Sequence, residues 1–195
     1  MPQPRTMKSL EKTMRDQGVP DDIIAQFNFP QATTGDKVIA LVNQMDTLLT
    51  KEQCLSVMGE HGCFKTGFMD AKSKSFGKEN AGKSLAEKLE TAKAANFRKN
   101  IPYINDAGEL IYEMRCYHDG DRERMLSVKN CACPPIYNSK QPLSVSHIFC
   151  GCCAGHHKHH WQNALGIKLR LKSIETSPRR TDMGYPRVFI FEIDD

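Results

Sequence analysis

The sequence lacks any apolar run near the ~20 residues needed to cross a bilayer. Its opening stretch, Met1 to Gly18, is polar and charged, without the apolar centre of a secretory leader. A cytoplasmic protein with no membrane partner is therefore expected. Charge of one sign is lacking too: 27 basic and 23 acidic residues are scattered along the chain, for a net charge of +4. Such a mild, dispersed balance gives no basic stripe for a polyanion, so no nucleic-acid partner is expected. Internal repeats and low-complexity tracts are absent, and 39% hydrophobic with 26% charged residues is ordinary globular composition. At 195 residues the chain fits a single domain, 1–195. Cysteine, by contrast, is plentiful. Eight cysteines in a chain expected to stay in a reducing compartment suggest metal ligands or reactive thiols rather than disulfides.

The hydrophobic pattern divides the chain into a mainly helical part, 1–100, and an α+β part, 101–195. Short helical patterns run over Leu10 to Gln17, stopped by Gly18, over Asp21 to Phe27, stopped by Pro30, and over Lys37 to Met45. Thr50 and Gln53 have capping-box spacing, and Cys54, Leu55 and Met58 follow on one face up to the breakers Gly59 and Gly62. Residues 83–99 place Leu85, Leu89, Ala92 and Phe97 near one stripe, predicting an amphipathic helix. The period then changes to two. Leu110, Tyr112, Met114 and Cys116 alternate with Ile111, Glu113, Arg115 and Tyr117, as do Ile167, Leu169 and Leu171 with Lys168, Arg170 and Lys172. Val188 to Ile193 reads as a last strand. The expected fold is α+β, with N-terminal helices packed on a small antiparallel sheet as a single compact domain.

Chemistry is concentrated between Cys131 and His160. Cys131 and Cys133 are followed, after a loop and a short β-rich run through Val145 and Ile148, by Cys150, Cys152 and Cys153. Ala154 to Leu165 then reads as a helix closed by Gly166. On such a helix Cys153, His156, His157 and His160 share a face, and His156 and His160 have the i, i+4 separation of a chelating pair. Thiolate and imidazole suit a transition metal, zinc or iron above all, and not calcium or magnesium. The metal-ligand set read from sequence is thus Cys131, Cys133, Cys150, Cys152, Cys153, His156, His157 and His160. The spacing contains none of the CxxC pairs of zinc ribbons, so density rather than register carries this reading.

Two other readings compete. Cys152 and Cys153 at a helix N-terminus beside imidazoles would have a stabilised thiolate, with Cys153 as nucleophile and His157 as its base. Alternatively the cysteines are small core residues and the histidine run is a solvated helix face. Cys54, His61 and Cys63 form a smaller group, in which His61 between glycines reads as a loop-surface residue. Trp161, Phe149, Tyr185, Phe189 and Phe191 read as packing residues.

From Cys150 to Ile193, the cysteine-rich segment, the helix, the run LGIKLRLKSIETS and the strand RVFIFEI resemble a known pattern. They are similar to the C-terminal part of the 4-vinyl reductase-like ligand-binding family and of the L-2-amino-thiazoline-4-carboxylate hydrolase-like proteins. The resemblance implies helices on a small antiparallel sheet enclosing a small-molecule ligand or substrate. Some members of the resembled families are sensors and others are assigned to hydrolysis of a thiazoline ring; joined to the Cys/His cluster, this gives as expectations a metal-dependent hydrolase acting on a C–N or C–S bond or, alternatively, a noncatalytic ligand- or metal-sensing module. Where sensor members carry a cysteine pair around the last hairpin, this chain has Ser177 and Arg187, and only Glu175 remains of that constellation. The sensor-type zinc site therefore does not transfer.

Overall fold

The computed structural model describes residues 7–29, 35–62, 65–114, 146–175 and 187–194. In chain order these form α1 (Met7–Asp16), α2 (Asp21–Ile24), α3 (Gly35–Leu48), α4 (Lys51–Glu60), α5 (Phe68–Glu79), α6 (Leu85–Ala94), β1 (Tyr103–Ile104) and β2 (Leu110–Met114). A 3-10 turn, His147–Cys150, then leads into α7 (Gly151–Leu165), followed by β3 (Lys168–Ile174) and β4 (Arg187–Asp194). The class is α+β.

Local chemistry sets many of these boundaries. Thr50 Oγ1 accepts from the Gln53 amide at 3.2 Å while the Gln53 side chain accepts from the Thr50 amide at 2.9 Å, which fixes the start of α4. Ser84 and Glu87 make the same reciprocal box at the start of α6. Gly166, at φ 68°, closes α7 in the left-handed conformation that a C-terminal glycine takes most easily. The buried Lys88 then donates to the Leu165 carbonyl at 2.7 Å, placing a cation on the negative end of α7.

The four strands form one antiparallel sheet in the order β1-β2-β4-β3. The last strand in sequence therefore lies inside the sheet, pairing Phe191 with Leu110 on one side and Leu171 on the other. Leu169 and Leu171 are buried while Lys168, Arg170 and Lys172 are exposed, as their alternation predicts. In β2 the alternation fails, because Leu110, Ile111 and Tyr112 are all buried. Leu110 and Tyr112 join the main core; Ile111 is buried outside it. Helix α7 packs on α4, α5 and β3, with Trp161 fully buried beside Phe97 at 5.6 Å between ring centroids. Phe149, Trp161, Phe189 and Phe191 are all core residues, as expected, and Tyr185 lies outside the described residues.

Several local expectations need correction. Helix α2 stops at Ile24 rather than Phe27. Ile148 belongs to a 3-10 turn, not to a β-rich run, because the Ser146 side chain caps the Ile148 amide at 3.1 Å. Gly59 is no breaker: it lies inside α4, where a Cβ would stand 3.0 Å from the Leu171 side chain. Helix α5 and strand β1 have no counterpart in the sequence reading. Among the described residues no helix is long and apolar enough to cross a membrane.

Candidate functional site

Helix α7 is seated by main-chain contacts. A Cβ on Gly155 would lie 2.6 Å from the Gly59 carbonyl oxygen and 2.7 Å from the Gly62 nitrogen, so the end of α4 touches α7 backbone to backbone. On the α5 side, a Cβ on Gly77 would lie 2.1 Å from the Asn163 carbonyl oxygen. Side chains larger than hydrogen are excluded at both crossings. The buried Lys158 side chain adds an ion pair from α7 to Glu60. The histidine helix is thus held between two neighbours before any site chemistry is considered.

The four histidines of α7 form a row of edge-to-face rings. Centroids are 4.8 Å apart for His157 and His156, 4.6 Å for His156 and His160, and 5.3 Å for His160 and His159. At one end of the row, His157 stacks on Tyr112 at 4.3 Å, with Nδ1 3.2 Å from Arg98 Nη1 and Nε2 3.1 Å from Met114 Sδ. A guanidinium only donates, so Nδ1 is the acceptor and Nε2 carries the proton. Burial first, then the electrostatic influence of His156, Arg98 and His160, holds His157 well below the ordinary imidazole value, so the ring is neutral.

At the other end, His159 Nε2 donates to Asp70 Oδ1 at 2.8 Å, and Asn163 Nδ2 lies 3.3 Å from both atoms. Lys74 pairs with the second carboxylate oxygen at 2.8 Å. Its ammonium foremost, with His159 after it, holds Asp70 below the usual carboxylate value. His160 is fully buried, and its Nδ1 lies 3.4 Å from Ser73 Oγ. The Ser73 hydroxyl proton is already committed to the Met69 carbonyl at 2.8 Å, so His160 Nδ1 is the donor to Ser73. This fixes the tautomer and orients the ring. One ligand atom each from Asp70, His159 and His160 lies within 4.8 Å of the others, close enough to converge on one ion.

The sequence-based site is therefore redistributed. Cys131, Cys133 and Cys63 lie outside the described residues. Cys150 is buried and joins the core, while Cys152 and Cys153 are partly buried in the first turn of α7. Cys152 and Cys153 thus lie in the N-terminal turn where the reactive-thiol reading places them, and the 3-10 turn His147–Cys150 leads directly into that turn. His157 directs its nitrogens to Arg98 and Met114, which leaves no lone pair with which to act as the base for Cys153. His156 bridges His157 and His160 in the ring row. Cys54 is a core thiol whose proton is directed at the Met45 carbonyl, 3.4 Å from the sulfur. His61 is buried rather than at a loop surface, because the Gly62–Gly155 contact draws the end of α4 onto α7.

Asp70, Ser73, Arg98 and Asn163 went unread in the sequence, and His159 was given no role. His159 falls off the face generated by counting i, i+3, i+4 and i+7 from Cys153, and its partner stands on α5. The only signal for α5 was the i, i+4 pair Asp70 and Lys74. Compared with known proteins, the chain matches no family model, no curated protein and no solved structure.

Proposed function

We propose that the protein binds a transition metal, zinc or iron, where α5 meets α7, through Asp70, His159 and His160, and uses it in hydrolase-like chemistry on a small molecule. The observation that carries this reading is the convergence of the carboxylate and the two imidazoles within 4.8 Å. Here the proton that His159 gives to Asp70 marks a position that a cation would take. Imidazole and carboxylate are ligands that zinc and iron accept at about 2.0 to 2.2 Å. Three protein ligands leave a four-coordinate ion one position for water, as in catalytic rather than purely structural zinc sites. Ser73 gives His160 the kind of second hydrogen bond that orients a ligating imidazole. The resemblance of Cys150 to Ile193 to thiazoline-carboxylate hydrolase-like proteins supports the choice of hydrolysis.

Metal analysis by inductively coupled plasma mass spectrometry tests it, on protein purified without a histidine tag and under reducing conditions. About one equivalent of zinc or iron is expected in the wild type and in Cys153→Ala, and less than a tenth of that in Asp70→Asn and His159→Gln. Metal-free folded wild type would overturn the proposal. Metal kept in both ligand variants and lost from Cys153→Ala would move the ion to the cysteine-rich arrangement.

A further inference from the structure

Asn163 stands beside Asp70 and His159 where α5 meets α7. Its Nδ2 lies 3.3 Å from Asp70 Oδ1 and 3.3 Å from His159 Nε2. Only the first of these contacts can be a hydrogen bond. His159 Nε2 gives its proton to the same carboxylate oxygen at 2.8 Å, so it has no lone pair to offer a second donor. The amide thus turns an N–H group toward an atom that cannot accept it, while its Oδ1 has no hydrogen-bond partner among the described residues.

Two features give this arrangement a second use. An asparagine amide carries oxygen and nitrogen at nearly equivalent places, and a half-turn about its last side-chain bond exchanges them. Ligands held tetrahedrally at about 2.0 to 2.1 Å from one zinc ion stand about 3.3 to 3.4 Å from each other. The end of the Asn163 amide already keeps that separation from Asp70 Oδ1 and from His159 Nε2 alike. The place is reached from solvent, since the side chains of His159 and Asp70 stay 25% and 15% exposed.

We infer that Asn163 is a fourth protein ligand of the metal site, binding the ion through Oδ1 after a half-turn of its amide. The inference rests on the metal reading above and deepens it. With the proton on His159, the amide nitrogen donates to Asp70. With a cation in the proton's place, an N–H group there is repelled and the carbonyl oxygen attracted. The amide oxygen is neutral, so it completes the set without adding charge. A water then stays on the ion only as a fifth ligand, a number that zinc reaches in catalysis.

Two measurements test this. Affinity for zinc and for ferrous iron is taken by competition with a chelator, on wild type, Asn163→Asp and Asn163→Leu. Asn163→Leu keeps the shape but offers no ligand, and should bind at least tenfold more weakly. Asn163→Asp keeps an oxygen there and loses the N–H group, and should bind at least as tightly as wild type. The Asn163 side-chain amide is also followed by NMR in the wild type, which needs no variant to fold. At saturation with zinc its protons should lose the shift of the Asp70 hydrogen bond and its carbonyl carbon should move downfield. Wild type that binds neither ion overturns the metal reading and this ligand with it. Metal-binding wild type with Asn163→Leu equally tight, with Asn163→Asp at least tenfold weaker, or with amide signals unmoved by saturating zinc, overturns the Asn163 assignment alone.

Discussion

At the scale of single residues, the same side-chain types serve opposite ends here, and burial decides which. Cys54 shows this for the thiols. Burial foremost, then the charges of Asp46 and Glu52, push its pKa up to about 11, against an ordinary value of about 8.5. The raised value means that the folded state keeps a proton the unfolded chain gives up. The unfolded state therefore binds fewer protons above pH ~8.5, and stability falls as pH rises from there toward 11. Chemical denaturation of wild type and Cys54→Ala at pH 7.5 and 10 measures this. The wild type is expected to lose about 1 to 2 kcal/mol more than the variant over that interval, at about 1.4 kcal/mol per pH unit. Equal losses would show that the Cys54 thiol is not protected. Composition alone made the thiols look like the site, because a count of cysteines carries no information about which of them a core consumes. Cys54 and Cys150 both join the core, while the acid that pairs with a histidine comes from Asp70, which its i, i+4 pairing with Lys74 marks as helical but not as the partner of His159.

At the scale of elements, helix α7 was readable because its determinants are local: a histidine-rich run ending in Leu165 and a glycine that takes φ 68°. Capping boxes made α4 similarly visible, and strict alternation did so for β3. Helix α5 was not, since its N-cap is Gly67 without a side-chain cap, its first residue Phe68 is exposed, and its clearly buried positions are Ser73 and Phe76. Its helicity is secured by docking on α7, a tertiary cause that leaves little trace in sequence. Glycines that read as breakers turn out to be contact points, which gives a sharp test. Gly155→Ala drives a methyl group into the backbone of Gly59 and Gly62 and should cost about 1 to 3 kcal/mol in urea denaturation. Gly82→Ala, with nothing within 4 Å of the new methyl, should stay within about 0.5 kcal/mol of wild type. Equal effects of the two would remove the close crossing from the account.

At the scale of the whole molecule, the sheet places the last strand in the interior, so β4 joins β2 to β3 and unites segments far apart in sequence. The site spans the chain in the same way, since Asp70 and Arg98 precede β2 while the histidines follow it. An ion bridging α5 and α7 would therefore stabilise the fold as a whole. At a free metal concentration of 100 times Kd the linkage is worth about 2.7 kcal/mol. For a chain of this length that corresponds to roughly 5 to 10 °C in Tm. Chelation is expected to lower the Tm of the wild type by that amount and to leave Asp70→Asn unchanged; a fall of equal size in both would place the ion elsewhere.

The crossing of α5 and α7 at Gly77 and the Asn163 carbonyl lies about one turn from the imidazoles along α7 and about two turns from the carboxylate along α5, and it is made of main-chain atoms alone. Side chains can swing to a new rotamer when a neighbour changes; peptide groups in contact cannot. The spacing between Asp70 and the two histidines is therefore governed by how closely the two helix backbones approach at that crossing. An ion of the wrong radius, or a glutamate in place of Asp70, would have to be accommodated within the side chains themselves, and changes of ligand type would have to fit a bite that the backbone has already set.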